Sequence, residues 1–205
     1  MRILILGGHG FIGSHTSNLL KEKGHTIGVV DCYHQYFTFP DQEYFSILKL
    51  RKDHANNDKT FIGKIEDESF MSRVFEEFKP DIVMHLATYP NAKMVARNVA
   101  DATTNMVTAT ASILNLCVKS NVKRIVFASS SMAYGEFNGG IPDENVMCNP
   151  NTLYGSYKHQ GERMCQIWKR EHGLEYVIMR PSALYGTRDM VTRVISQMLK
   201  SVLTT

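Results

Sequence analysis

The sequence predicts an α/β fold, a doubly wound sheet of mostly parallel strands, from two observations. Short β-branched or apolar runs alternate with longer helical patterns, and the runs are continuously apolar rather than alternating with polar residues. A run that is apolar at every position suits a strand covered by helices on both faces. Taken in order, residues 3–6, 26–30, 60–62, 82–86, 124–128 and 175–179 are expected as strands. Helices are expected at 11–23, 68–79, 99–120, 153–172 and 188–202. Residues 41–59 are polar without a strong period, so a surface excursion with room for one short helix is expected there.

Composition narrows the class of protein. A length of 205 residues with 43% hydrophobic content allows one well-buried core and leaves little for a second complete domain. The 23 basic and 20 acidic residues give a net charge of +3 with no basic block, which excludes a nucleic-acid surface and leaves a phosphate-bearing small molecule compatible. Cys32, Cys117, Cys148 and Cys165 show neither CxxC nor Cys/His ligand spacing, so they are expected as thiols in a reducing compartment. Residues 1–6 lead straight into glycines, unlike a signal peptide, and no apolar stretch reaches membrane-spanning length. A soluble, cytoplasmic protein with no membrane partner is the expectation.

The first strand runs into Gly7-Gly8-His9-Gly10-Phe11-Ile12-Gly13, which satisfies GxxGxxG from Gly7 and GxGxxG from Gly8. Glycines suit a tight turn in which the backbone approaches a pyrophosphate, and the following helix offers free N–H groups and positive dipole to it. Gly7, Gly10, Phe11, Ile12 and Gly13 are therefore candidate cofactor residues. Asp31 follows the second strand; its carboxylate can accept from both ribose hydroxyls and repels a 2′-phosphate, which favours NAD over NADP. Asp31 could instead only cap a turn.

A tyrosine and a lysine four apart share one helix face, where the ammonium favours a phenolate base. Tyr154 with Lys158 and Tyr89 with Lys93 both fit. Pro90 and the exit from a strand make the second pair a decoy, since a loop does not enforce helical geometry. The first pair opens a strong helical pattern and has Ser129-Ser130-Ser131 upstream at a strand end, with Ser130 or Ser131 available to a substrate oxygen. Tyr157 faces elsewhere on the helix and is expected to pack. His9, His85 and His159 are expected as packing or positional residues rather than ligands, and no metal is assigned. Cys148 is expected as a bystander thiol. Met94, Met106, Met132, Met147 and Met164 are expected as core or cleft filler.

These pieces, together with His85-Leu86-Ala87, Ser129-Ser130-Ser131-Met132-Ala133-Tyr134-Gly135 and Arg180-Pro181-Ser182-Ala183-Leu184-Tyr185-Gly186, resemble the extended short-chain dehydrogenase/reductases, and among them the NAD-dependent nucleotide-sugar epimerases and dehydratases. The resemblance implies a Rossmann fold with NAD as cofactor. It assigns Tyr154 as acid/base, Lys158 to the nicotinamide ribose and Ser130 as the catalytic hydroxyl. Leu86 and Ala87 would line the cofactor cleft, Pro181 would lie near the nicotinamide, and Asn105 would brace the active-site helix. At Gly63-Lys64-Ile65 the family commonly shows an acid against adenine before an apolar residue. Ile65 matches the apolar position, while Lys64 replaces the acid and Glu66 or Asp67 could substitute. Dehydratases of this type carry an acid two positions after the catalytic hydroxyl. Met132 stands there, which favours a 4-epimerase over a 4,6-dehydratase.

The resemblance further implies that much of a nucleotide-sugar site comes from a C-terminal portion of about a hundred residues. Residues 1–186 are thus expected as the NAD-binding catalytic domain and 187–205 as the start of an incomplete substrate portion. Helices 99–120 and 153–172 could pair across a two-fold axis in a homodimer, although burial within one chain accounts for the same apolar stripes. A redox-neutral epimerase leads. A net sugar or alcohol dehydrogenase and a catalytically silent NAD-binding module are the alternatives.

Overall fold

A computed structural model describes residues 1–36, 40–136, 143–190 and 194–203. In chain order the elements are β1 (Arg2–Leu6), α1 (Phe11–Glu22), β2 (Thr26–Asp31), α2 (Asp41–Ala55), β3 (Lys59–Ile62), α3 (Glu68–Phe78), β4 (Ile82–His85) and α4 (Ala92–Arg97). They continue through α5 (Val99–Thr103), a π turn (Thr104–Thr108), α6 (Ala109–Lys119), β5 (Arg124–Ala128), a 3-10 turn (Ser131–Ala133), α7 (Leu153–His172), β6 (Glu175–Met179) and α8 (Val194–Leu203). The strands form one parallel sheet in the order β3-β2-β1-β4-β5-β6. This is the doubly wound Rossmann arrangement, and its order reverses between β1 and β4, where such sheets open a crevice at their carboxyl ends.

Period-two alternation sends β1 side chains to two cores. Leu4 and Leu6 join Phe75 and Phe78 of α3, Ile113 and Leu114 of α6, and Ile125 and Phe127 of β5. Ile3 and Ile5 join Ile27 and Val29 of β2 on the other face, with Leu20 of α1 over them. Each fully buried side chain of this size stabilises the fold by about 1.5–3 kcal/mol relative to exposure. The apolar stripes of α6 and α7 are largely spent within the chain, on Ile113, Leu114, Cys117 and Cys165.

Four expectations are corrected. Residues 41–55 form a 15-residue helix. Most of its surface faces solvent, which hides the period, while Asp41 and Glu43 at its start and Lys52 and His54 at its end complement the helix dipole. The helix expected at 99–120 is interrupted by the π turn, a feature common at functional sites. Helix α4 was not expected; it is one short segment whose start is fixed by Asn91 accepting from the Met94 N–H at 3.0 Å. The last helix does not include Arg188, which holds φ 68°, outside the helical region; among the described residues it covers Val194–Leu203. Residues 191–193 of that expectation lie outside the described residues. On α8 the apolar Val194, Ile195, Met198, Leu199 and Val202 are exposed.

Candidate functional site

The loop after β1 is a backbone structure. Gly7 turns the chain at φ +78° and donates its N–H to Val30 O at 2.8 Å, while Gly10 N–H returns to Gly7 O at 3.1 Å. A Cβ on Gly13 would lie 2.3 Å from Gly7 O, so helix α1 can press against the loop only because that atom is missing. Gly10 begins α1 without a capping side chain, leaving the N–H groups of Phe11 and Ile12 at an uncapped helix end. Leu86 N–H bonds Leu6 O at 3.0 Å, and a Cβ on Gly7 would meet Ala87 N at 2.9 Å, so both residues border the loop as expected.

Asp31 accepts from His9 N–H at 3.0 Å through Oδ2 and from Tyr33 N–H at 2.9 Å through Oδ1. It therefore does cap a turn, and each oxygen keeps a lone pair for a ribose hydroxyl. Around it His9 bonds the Tyr33 hydroxyl and Asn57, and Lys52 lies 5.0 Å from the Tyr33 ring centroid. A cradle that a Cβ would fill, an uncapped helix end and a carboxylate with spare acceptors fit a dinucleotide.

The Ile65 side chain packs into the core beside α3, so only backbone at that position can reach the cleft. Asp67 is taken by the Phe70 N–H at 2.9 Å and Glu66 by Asn105 Nδ2 at 2.9 Å, so neither proposed substitute is free of a partner. Asn105 thus ties the π turn to the loop after β3.

At the end of β5, Ser130 is buried and its Oγ accepts from Met132 N–H at 3.2 Å, which leaves the hydroxyl proton to donate outward. Ser131 N–H bonds Pro181 O at 3.0 Å and so joins the β5 and β6 ends. Thr152 caps α7 by accepting from Gly155 N–H at 3.1 Å. A Cβ on Gly155 would lie 2.4 Å from Met132 O, so the first turn of α7 rests on the 3-10 turn that Ser130 begins. One turn apart on that helix, Tyr154 and Lys158 are both buried. The Lys158 ammonium donates to Ala128 O at 2.6 Å and lies 5.8 Å from the Tyr154 ring centroid. Burial pushes it down to about 7.

The structure thus gathers Ser130, Tyr154, Lys158 and Pro181 at the sheet edge that carries the glycine loop. The Tyr89/Lys93 pair does not assemble. Tyr89 is buried with its hydroxyl donating to Asp101, and Lys93 is exposed on α4. Tyr157 packs, its hydroxyl sharing a 2.8 Å hydrogen bond with Thr103. Met106 fills core as expected, whereas Met147 is 86% exposed.

Sequence reasoning missed a buried ion pair. Fully buried Glu162 accepts from Arg180 Nε at 2.8 Å and Nη2 at 2.7 Å, and from the Ser129 hydroxyl. Burial would raise its carboxyl, but the bonds from Arg180 and Ser129 outweigh that and hold it below the usual carboxylate range. The signal was present: an acid four residues after Lys158 lies on the same buried helix face. Cys148 and His159 come close enough to Glu162 that their ligand atoms all lie within 4.8 Å of one another, but the carboxylate is already claimed by Arg180. Among the described residues no helix is long and apolar enough to cross a membrane.

Known proteins agree with this geometry. The sequence matches the NAD dependent epimerase/dehydratase family over residues 3–205. An uncharacterized UDP-glucose epimerase of Bacillus subtilis is 30% identical over 203 residues, 98% of this chain and 62% of that protein. The structure of a Thermotoga maritima UDP-glucose 4-epimerase with UDP-glucose superposes with a TM-score of 0.84 at 30% identity, covering 100% of this chain and 63% of the other. A Bacillus cereus UDP-glucuronic acid 4-epimerase in complex with UDP-glucuronic acid and NAD gives a TM-score of 0.84 at 25% identity, again over 100% and 63%. The chain therefore spans less than two thirds of the length of these relatives. With its glycine cradle, its six-stranded sheet and a match that runs from Ile3 to Thr205, the chain belongs to the NAD-dependent epimerase/dehydratase family.

Proposed function

We propose that this chain is the NAD-binding, catalytic part of a nucleotide-sugar 4-epimerase. The observation that carries the reading is the convergence of Ser130, Tyr154 and buried Lys158 at the carboxyl end of β5, on the same edge of the parallel sheet as the glycine loop after β1. Gly7, Gly10, Phe11, Ile12 and Gly13 would hold the pyrophosphate, Asp31 the adenosine ribose and Lys158 the nicotinamide ribose, with Leu86, Ala87 and Pro181 lining the cleft. Residues 1–186 form this domain, and 187–205 belong to the substrate-binding portion, in keeping with the exposed apolar residues of α8.

NAD, when bound, supplies the hydride acceptor and donor. Ser130 donates its hydroxyl proton in a hydrogen bond to the sugar oxygen, and Tyr154 as phenolate takes that oxygen's proton as the C–H hydride departs. The resulting ketone is flat at the reacting carbon; once it has rotated to present its other face, Tyr154 restores the proton to its oxygen. Lys158 favours the phenolate by its nearby charge. Met132, half-buried against the apolar cluster that includes Tyr154, offers no acid for water elimination, which favours epimerisation over dehydration.

With UDP-glucose and NAD, the expected outcome is interconversion of the 4-epimers with no net NADH. Tyr154→Phe should lower kcat by about 10²–10⁴-fold while leaving NAD affinity nearly unchanged. Steady NADH accumulation would make the protein a dehydrogenase instead. NAD binding without any turnover would favour a binding module.

A further inference from the structure

Beneath Lys158, between β4, the π turn and α6, lies a narrow crevice lined by His85, Thr88, Met106, Thr110, Phe127 and Lys158. The tautomer of His85 follows from its neighbours. Thr110 spends its single hydroxyl proton on Met106 O at 2.8 Å. Its oxygen therefore accepts at 3.1 Å from His85 Nε2, and that nitrogen must carry the ring proton. Nδ1 of a neutral His85 is then a bare lone pair, fully buried and without a hydrogen-bond partner among the described residues. The Thr88 hydroxyl in the same crevice is also buried without one. An orphaned acceptor in an apolar interior is destabilising, and its persistence calls for an explanation.

We propose that His85 is a positioning residue for Lys158: Thr110 locks the imidazole as its Nε2–H tautomer, so that the lone pair stays on Nδ1 in the crevice that His85 and Lys158 line together, where the ring dipole supports the charged lysine. The proposal rests on the catalytic reading of Lys158 and deepens it. A carboxylate in the same place would hold the ammonium in a fixed ion pair, whereas a neutral imidazole gives a dipole and leaves the proton exchangeable. Burial, helped by Lys158 itself, pushes His85 down to about 3, so the ring stays neutral throughout the working range. The titratable groups around Lys158 are few. Tyr154 faces it from one turn earlier on α7 and His85 from β4; the π turn and α6 bring Met106 and Thr110, and β5 brings Phe127 and the Ala128 carbonyl.

The test is an NMR titration of lysine ¹³Cε and histidine ring ¹⁵N in the wild type, Thr110→Val and His85→Phe, with NAD affinity measured in parallel. Thr110→Val keeps the fold's volume and the imidazole but removes the lock. The Lys158 midpoint should fall by about one pH unit in both variants, a tenfold change in its proton affinity. The wild-type His85 should show an unprotonated Nδ1 across pH 5–9. A Lys158 midpoint unchanged in Thr110→Val, or a wild-type ring protonated on Nδ1, overturns the proposal. If His85→Phe does not fold, Thr110→Val decides alone. Failure of the wild type to bind NAD would overturn the functional reading but leave the lysine midpoint and the tautomer to judge this one.

Discussion

At the end of β1 the site is made of backbone. Gly7, Gly10 and Gly13 act by lacking a Cβ, and the groups offered to a ligand are main-chain N–H donors at an uncapped helix end. At the end of β5 it is made of buried charge: Lys158 against Ala128 O, and Glu162 clamped by Arg180 and Ser129. The first design depends on local geometry and the second on tertiary burial. Mutations should therefore fail differently at the two ends, in affinity at one and in stability and pH dependence at the other.

The strongest way to break the comparison is Glu162→Gln. Glu162 is fully buried and the Arg180 side chain is 17% exposed, so removing the carboxylate charge leaves a guanidinium that water reaches only in part, which costs up to about 3 kcal/mol. Urea denaturation should show that loss, and Glu162→Leu combined with Arg180→Met should recover much of it. A single variant of wild-type stability would show that the pair opens to water. Next comes Lys158→Met. Below about 7 the lysine is charged in both the folded and unfolded chain, and the full cost of burying it applies. Above that the folded state sheds the proton while the unfolded chain keeps it up to the ordinary lysine value. Stability should then rise with pH from about 7 until both states are neutral, by a few kcal/mol in all. Lys158→Met should flatten that slope and raise Tm at pH 7 while abolishing turnover; an unchanged slope would assign it to other groups.

The same contrast governs what the sequence could show. The six strands and the glycine loop were legible because they are written in adjacent residues: a run of apolar side chains, then Gly7 to Gly13, then Asp31 one strand later. Tyr154 and Lys158 were legible because helical spacing alone puts them on one face. Arg180 and Glu162 were not joined, since one follows β6 and the other lies on α7, and only the packing of that helix on the sheet brings them together. Helix α2 escaped because a helix with most of its surface in solvent needs no apolar period. Ile65 stood at a position that the family resemblance associates with adenine, yet its side chain belongs to the core.

Gly13→Ala sharpens the backbone side. The new Cβ would sit 2.3 Å from Gly7 O and 2.6 Å from Gly8 Cα, and both obstacles are backbone, so the loop itself must move. Overpacking of this kind costs about 1–3 kcal/mol. The larger consequence is expected in calorimetric NAD titration, a loss of at least about 100-fold from displaced N–H donors. Wild-type affinity would mean that the cofactor does not rest on this turn.

The smallest effect is the control that separates charge from burial. Lys59 and Glu77 form an ion pair of the same formal kind as Arg180 and Glu162, but their side chains are 45% and 54% exposed. Both ions keep most of their hydration when the pair is broken, and solvent screens what attraction remains. Lys59→Ala should therefore change stability by less than about 1 kcal/mol, and that small change should shrink further in high salt. Lys59 also approaches the Phe61 ring at 5.2 Å, so any salt-insensitive residue of the effect measures that contact rather than the pair. If Lys59→Ala proved as damaging as Glu162→Gln, position in the sheet rather than desolvation would set the cost, and the division between a backbone-built and a charge-built end of the site would lose its physical basis.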